Sequence, residues 1–175
     1  MKRLTHIAII LIILVASALP LVPTAIAEEG ISLSIPSLKV DVPVVEIYLK
    51  AFNDGSVTWD TSRLKSKVGH LEGTGWFGSA GNVVLGGHSE LPNGRRSVFA
   101  RLHTLSVGEI ITVHQSGEEY RYTVTGVSYV NAYDLSPLYP TSNERLTLIT
   151  CDNNSYDPVT GEYLNRVVVT ADRIG

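Results

Sequence analysis

From Gly30 onward the apolar residues of this chain come in short runs, each closed by Gly, Pro, Asn or Ser. Ile31, Leu33 and Ile35 alternate with Ser32 and Ser34, a period of two that puts one face in a core and the other toward water. Val40 to Ile47 continues this pattern but contains Pro43, which implies an edge strand or a bulge. Asn82 to Gly87 is a buried-strand run, and Ile110 to His114 is another. Tyr120 to Val130 is long and rich in Tyr, Val and Thr. Its phase slips at Gly126: Tyr120, Tyr122 and Val124 share one face, while Val127 and Tyr129 continue on the other, as a β-bulge would cause. Arg145 to Cys151 and Arg166 to Ala171 complete the strands.

Helical spacing is sparse. Arg96 to Leu105 holds Val98, Phe99, Leu102 and Leu105 at roughly helical intervals, and Asp60 to Val68 is a weaker candidate. The expectation is an all-β domain with one or two short helices, a sandwich or a barrel. With 44% hydrophobic residues the chain can build one real core. Neither a repeat nor a linker divides residues 28–175.

The first 27 residues read differently. Lys2 and Arg3 precede an apolar run from Ile7 to Leu19. Pro20 and Pro23 break that run, and Ala25-Ile26-Ala27 fits a small-x-small cleavage site. This is the layout of a secretory signal peptide. Cleavage after Ala27 is the expected outcome. Retention would make residues 1–27 a membrane anchor with the positive end inside. Either way the domain is expected outside the cytoplasm, secreted or anchored at the cell surface. Setting Lys2 and Arg3 aside leaves 12 basic against 17 acidic residues. That balance speaks against a nucleic-acid partner, which needs a basic stripe.

Cys151 is the only cysteine. An odd cysteine in an exported chain is a free reactive thiol or an intermolecular bridge, unless it is a buried, inert small hydrophobe. Its setting favours reactivity. It closes the run Leu146-Thr147-Leu148-Ile149-Thr150, and Asp152-Asn153-Asn154-Ser155 must be a loop. A thiol of pKa about 8.5 is only a few per cent ionised at neutral pH and needs a basic neighbour. Of the five histidines, His6 lies in the signal, His103 and His114 read as surface residues, and His70, in a Gly-containing loop, stays an alternative. His88 is preferred as general base or acid, because it ends a buried run and follows two glycines. Arg166 opens the last strand. It is either an exposed strand start or a guanidinium that stabilises an oxyanion; spacing alone leaves both open.

Thr147-Leu148-Ile149-Thr150-Cys151 resembles the TLxTC segment of the sortase family. Asp152, the Thr160-Gly161 turn and Asn165-Arg166-Val167-Val168-Val169 extend the likeness. Upstream, Gly81-Asn82-Val83-Val84-Leu85-Gly86-Gly87-His88-Ser89 resembles the family's strand ending in Gly-His. Phe99, Leu102, Leu105, Gly108 and Glu109, and the entry run Ile35-Pro36-Ser37-Leu38, fit as well. The resemblance runs from about Ile31 to Ile174. It implies a closed eight-stranded sortase-type β-barrel over residues 28–175, with Cys151 as nucleophile, His88 as acid and base, and Arg166 holding substrate and oxyanion. It also implies the reaction. A C-terminal sorting motif of the LPxTG kind is cleaved through a thioacyl intermediate and passed to an amine of cell wall or pilin. Ser89 departs from the Arg, Thr or Val common after the Gly-His pair. The segment Ala132 to Asn143, with Pro137 and Pro140, would select the motif.

No cofactor is expected. Calcium-binding members use an acidic cluster, whereas residues 70–87 hold only Glu72 and residues 133–142 only Asp134, and calcium wants about six to eight oxygens. Two other classes stay open from the residues: a cysteine peptidase that uses water, and a non-catalytic exported β-domain binding peptide or cell-wall polymer. A thiol redox protein is disfavoured, because no resolving cysteine exists.

Overall fold

The computed structural model describes residues 30–53 and 55–175. The expected signal segment and the domain start at residue 28 therefore lie outside the described residues. Among the described residues twelve strands follow one another. They are β1 (Ile31–Ile35), β2 (Val40–Ile47), β3 (Leu49–Ala51), β4 (Val57–Trp59), β5 (Val68–Leu71), β6 (Gly81–Gly87), β7 (Ile110–Gln115), β8 (Glu118–Asn131), β9 (Glu144–Cys151), β10 (Tyr156–Asp157), β11 (Glu162–Tyr163) and β12 (Asn165–Arg173). Eight of them close a barrel in the order β1-β2-β5-β6-β9-β12-β8-β7, and β3-β4 and β10-β11 are separate hairpins. The all-β, eight-stranded barrel expected above is the fold observed.

Two of the barrel pairings are parallel, β2 with β5 and β6 with β9. Closure gives every one of the eight barrel strands a neighbour on both sides along part of its length. Pro43 belongs to barrel strand β2 and is exposed, and β5 pairs with β2 only from Val44 onward. Pro43 therefore has a barrel neighbour on one side only, β1, where it faces Ser32. That is a local edge, where a missing N–H is tolerated. The bulge falls where the phase slip implied. Thr170 faces Gly126 while Ala171 faces Val124, which leaves Thr125 as the extra residue.

The short helical turn expected over 96–105 is present, whereas the weaker candidate over 60–68 is not helical. Among the described residues helix is confined to single 3-10 turns. Across 96–105 the only such turn is Leu102–Thr104, preceded by i→i+3 bonds such as Leu102 N–H to Phe99 O. Phe99, Leu102 and Leu105 are three residues apart, which matches the three-per-turn 3-10 geometry, and all three are buried. Residues 60–67 form turns, with Leu64 buried, and Val68 opens β5.

Alternate residues of the strands fill the barrel interior: Leu33, Ile35, Val83, Leu85, Leu146 and Leu148 are fully buried there. Burying each such side chain is worth about 1.5–3 kcal/mol. A second cluster of Ile47, Leu64, Leu71 and Val84, with Trp59, Leu138 and Ile149 packed on it, sits on the outer face of β2, β5, β6 and β9. These strands are apolar on both faces because both faces are covered. The outer cluster is the floor on which the candidate site stands.

Candidate active site

The parallel pairing of β6 and β9 decides the site. Its last matched pair is Gly86 with Ile149. Two residues further on, the strands deliver His88 and Cys151 side by side at one rim of the barrel, with strands about 4.8 Å apart. On the other side of β9, Cys151 faces Arg166 of β12 directly in register. Such cross-strand partners point the same way, with Cβ atoms about 5 Å apart. The thiol is thus flanked by an imidazole and a guanidinium. All three side chains line one groove of about 350 Å³. Its floor is Ile47, Leu71, Gly86 and Ile149, one wall is Thr58, Trp59, Thr61 and Leu64, and the other is Ala132, Asp134, Leu135 and Leu138. The site residues named from the sequence are therefore brought together.

Several bonds hold this rim. Thr150 Oγ1 donates to Gly87 O at 2.7 Å, which pins the end of the cysteine strand to the end of the histidine strand. Gly87 has no room for a side chain, since a Cβ would sit 2.6 Å from the Phe99 ring. His88 Nε2 lies 3.2 Å from Thr61 O. Arg166 Nη1 donates to Tyr163 O at 2.7 Å and Asn165 O at 3.2 Å, so backbone carbonyls steer the guanidinium. After Cys151 the chain turns tightly. The Asp152 carboxylate accepts the Asn154 N–H at 3.0 Å, and Ser155 Oγ donates to Asp152 O while accepting the Asn165 N–H. Ser89, the departure noted in the motif, is buried and donates to Asn153 Oδ1 at 2.5 Å. It joins the residue after the histidine to the turn after the cysteine.

None of the other described histidines lines this groove. His70 is in β5 rather than a loop, and it is buried. Its Nδ1 meets Glu46 Oε1 and its Nε2 meets Gly75 O, both at 2.8 Å, so its bonding capacity is spent on structure. His103 and His114 are exposed. Trp59, Thr61 and Thr150 were not singled out from the sequence. Only Thr150 had a signal, its place in the segment before the cysteine. Among the described residues no three His, Cys, Asp or Glu side chains gather as metal ligands. A larger depression, about 530 Å³, surrounds Glu144 and Arg173. Glu144 opens β9, about 23 Å along the strand from the thiol, and no thiol or imidazole lines this depression.

Burial pushes the Cys151 thiol above its ordinary pKa, and the Arg166 guanidinium pulls it part of the way back. A resting site of this kind keeps its thiol mainly protonated at neutral pH. Alkylation of folded Cys151 should therefore rise with pH at a higher midpoint than for the denatured chain. Rates with iodoacetamide, measured from pH 6 to 11 for the folded and the urea-unfolded protein, check this. Coincident midpoints would contradict it.

Fold and site together are a closed β-barrel with a thiol between an imidazole and a guanidinium on one rim. The family model described as "Sortase domain" matches residues 33–174, and the chain belongs to the sortase family. Sortase A of Bacillus anthracis is 28% identical over 135 residues, covering 74% of this chain. The chain spans 57% of the length of that relative. Among solved structures, a lid mutant of sortase A from Corynebacterium diphtheriae matches with a TM-score of 0.66 and 28% identity, covering 84% of this chain and 70% of the other. Sortase C1 from Streptococcus agalactiae matches with a TM-score of 0.64 and 28% identity, covering 83% and 67%.

Proposed function

We propose that the protein is a cysteine transpeptidase working outside the cytoplasm. It cleaves a C-terminal sorting motif of the LPxTG kind and transfers the new carboxyl end to an amine of cell wall or pilin. The observation that carries this reading is the placement of His88, Cys151 and Arg166 on three neighbouring strand ends facing one groove. The reaction runs through two tetrahedral species. Cys151 gives its proton to His88, and its sulfur attacks the Thr carbonyl of the motif. The negative charge that forms on the carbonyl oxygen meets the Arg166 guanidinium, a charge-assisted contact strongest where charge is greatest. As the C–N bond breaks, His88 protonates the leaving amine. An incoming amine attacks the thioacyl carbon and gives its proton to His88, and the thiolate leaves. The apolar floor of Ile47, Leu71 and Ile149 suits the aliphatic part of such a motif. Export by residues 1–27, with cleavage or anchoring, belongs to the same reading. Among the described residues no helix is long and apolar enough to cross a membrane.

The test is product analysis. The full chain is incubated with an LPxTG-type peptide, with and without glycinamide, and followed by mass spectrometry. A thioacyl adduct that resolves to the glycinamide-linked peptide is expected. An adduct that yields only free acid, whatever the amine concentration, would replace the transpeptidase with a peptidase. The absence of any adduct over a broad motif panel would leave a peptide-binding domain.

A further inference from the structure

Asn82 is a polar residue buried in the outer face of β6, 3% exposed. Its amide joins three parts of the fold. Nδ2 donates to Pro137 O at 2.8 Å and to Tyr139 O at 3.1 Å, and Oδ1 accepts from Thr147 Oγ1 at 2.7 Å. The orientation is forced. Carbonyl oxygens only accept, so the nitrogen must face Pro137 and Tyr139, and the oxygen must face the hydroxyl. Thr147 is 1% exposed, so this bond is shielded from water. The backbone at Asn82 is fixed as well: Gly75 N–H donates to Asn82 O at 2.7 Å, and a Cβ on Gly75 would lie 3.0 Å from it.

The two carbonyls flank Leu138, which packs on the outer apolar cluster and lines the groove with Ala132, Asp134 and Leu135. The start of this segment is tied down by Ala132 N–H to Leu164 O and by the Tyr133 hydroxyl to Glu162, but from Asp134 to Leu138 it otherwise holds itself by local means, a single 3-10 turn at Ser136–Leu138 and an Asp134 carboxylate accepting the Ser136 N–H. Such short turns do not place a wall by themselves. We infer that Asn82, with Thr147 behind it, is a positioning residue that sets the 132–139 wall over the peptide groove. A buried amide paired to backbone carbonyls is costly to leave half-satisfied, so wall and strand move as a unit. Asn82 lies five residues back along β6 from Gly87 and does not line the groove. It touches neither the thiol nor the imidazole. The inference rests on the proposed function only in taking the groove as the seat of the sorting peptide.

The experiment uses the full chain as wild type, Asn82→Ala, the isosteric Asn82→Asp, Thr147→Val and Thr147→Ser. The amides of Leu138 and Tyr139 are bonded to Leu135 O and Ser136 O, so their hydrogen exchange reports opening of the wall. In Asn82→Ala and Asn82→Asp that exchange should quicken about tenfold, and KM for the motif peptide should rise about tenfold with kcat within about threefold. Alkylation of Cys151 should stay within about twofold of wild type, because the rim is untouched. Thr147→Val should move the same readouts in the same direction, and Thr147→Ser should restore them. Exchange and KM both unchanged in a folded variant would overturn the inference. So would kcat and alkylation falling together, which would mark Asn82 as mere support for the barrel rim. If Asn82→Ala does not fold, Asn82→Asp and Thr147→Val carry the test. If wild type accepts no motif peptide, the transpeptidase reading fails on its own. The inference is then decided by exchange alone, where quickening supports it and no change overturns it.

Discussion

Cys151→Ala is expected to abolish the thioacyl adduct and to lower turnover of a motif peptide by about 10⁴-fold or more, because no other thiol exists to take its place. The protein should remain folded. Cys151 sits half-buried at the last position of β9, and losing one sulfur there costs about 1 kcal/mol of burial. The barrel is held instead by Leu146 and Leu148, whose side chains face the interior. His88→Ala separates the two halves of the chemistry. Removing a general acid costs about 10²–10⁴-fold in turnover, but the thiol remains, so slow adduct formation should survive. Intact-mass spectra of the three proteins after incubation with peptide, beside their melting curves, give the result. An adduct on Cys151→Ala would place the nucleophile elsewhere. Equal and complete loss in both variants, with lowered melting temperatures, would make the rim structural.

Much of this was legible because strand physics is local. Side chains alternate along a strand, so the shift from Val124 to Val127 in Tyr120–Val130 could only mean an extra residue, and Thr125 is that residue. The place of Cys151 at a strand end followed from the polar cluster after it. What stayed hidden depends on contacts between distant segments. β5 reads Val-Gly-His-Leu, too short and too polar to register as a strand. Yet all four residues are buried, because β2 and β6 cover them and Gly69 lets Ile47 approach to 2.9 Å of where a Cβ would lie. The wall from Thr58 to Leu64 showed only a weak helical spacing that the fold does not use, since its order comes from Leu64 in the outer cluster and from Trp59 Nε1 donating to Glu72 O. The apolar spacing in 96–105 misled about helix type. Three-residue intervals suit a 3-10 turn, and only the bonds between Phe99 and Leu105 reveal it.

The site divides along the same line. Two threonines of the Thr147–Cys151 segment carry different tasks that the letters alone do not disclose. Thr150 bonds to Gly87 and holds the thiol beside the imidazole, while Thr147 bonds to Asn82 below the groove wall. His70 and His88 both sit among glycines in the sequence. Only packing tells them apart: the first is enclosed by Glu46, Gly75 O and the Trp76 ring, and the second borders the groove.

Arg166→Ala should lower kcat/KM by about 10²–10³-fold, the usual cost of removing a donor from a developing oxyanion. A second effect runs through the thiol. Cys151 is an acid whose charged form is the anion, and Arg166 is the cation that opposes the upward push of burial. Without the guanidinium the thiolate loses its nearest attraction, so the pKa must rise further and the thiolate fraction at neutral pH must fall. Alkylation and peptide turnover should then both move to higher pH, whereas an oxyanion donor alone would lower turnover without moving the alkylation curve. Arg166→Lys distinguishes these contributions. An ammonium keeps the charge and should return the alkylation profile close to wild type. It lacks the planar fork that Tyr163 O and Asn165 O steer, so kcat/KM should recover only in part. Full recovery with lysine would reduce the role of Arg166 to charge. An alkylation profile unmoved in Arg166→Ala would show that the guanidinium does not act on the thiol at all, leaving only its contact with substrate.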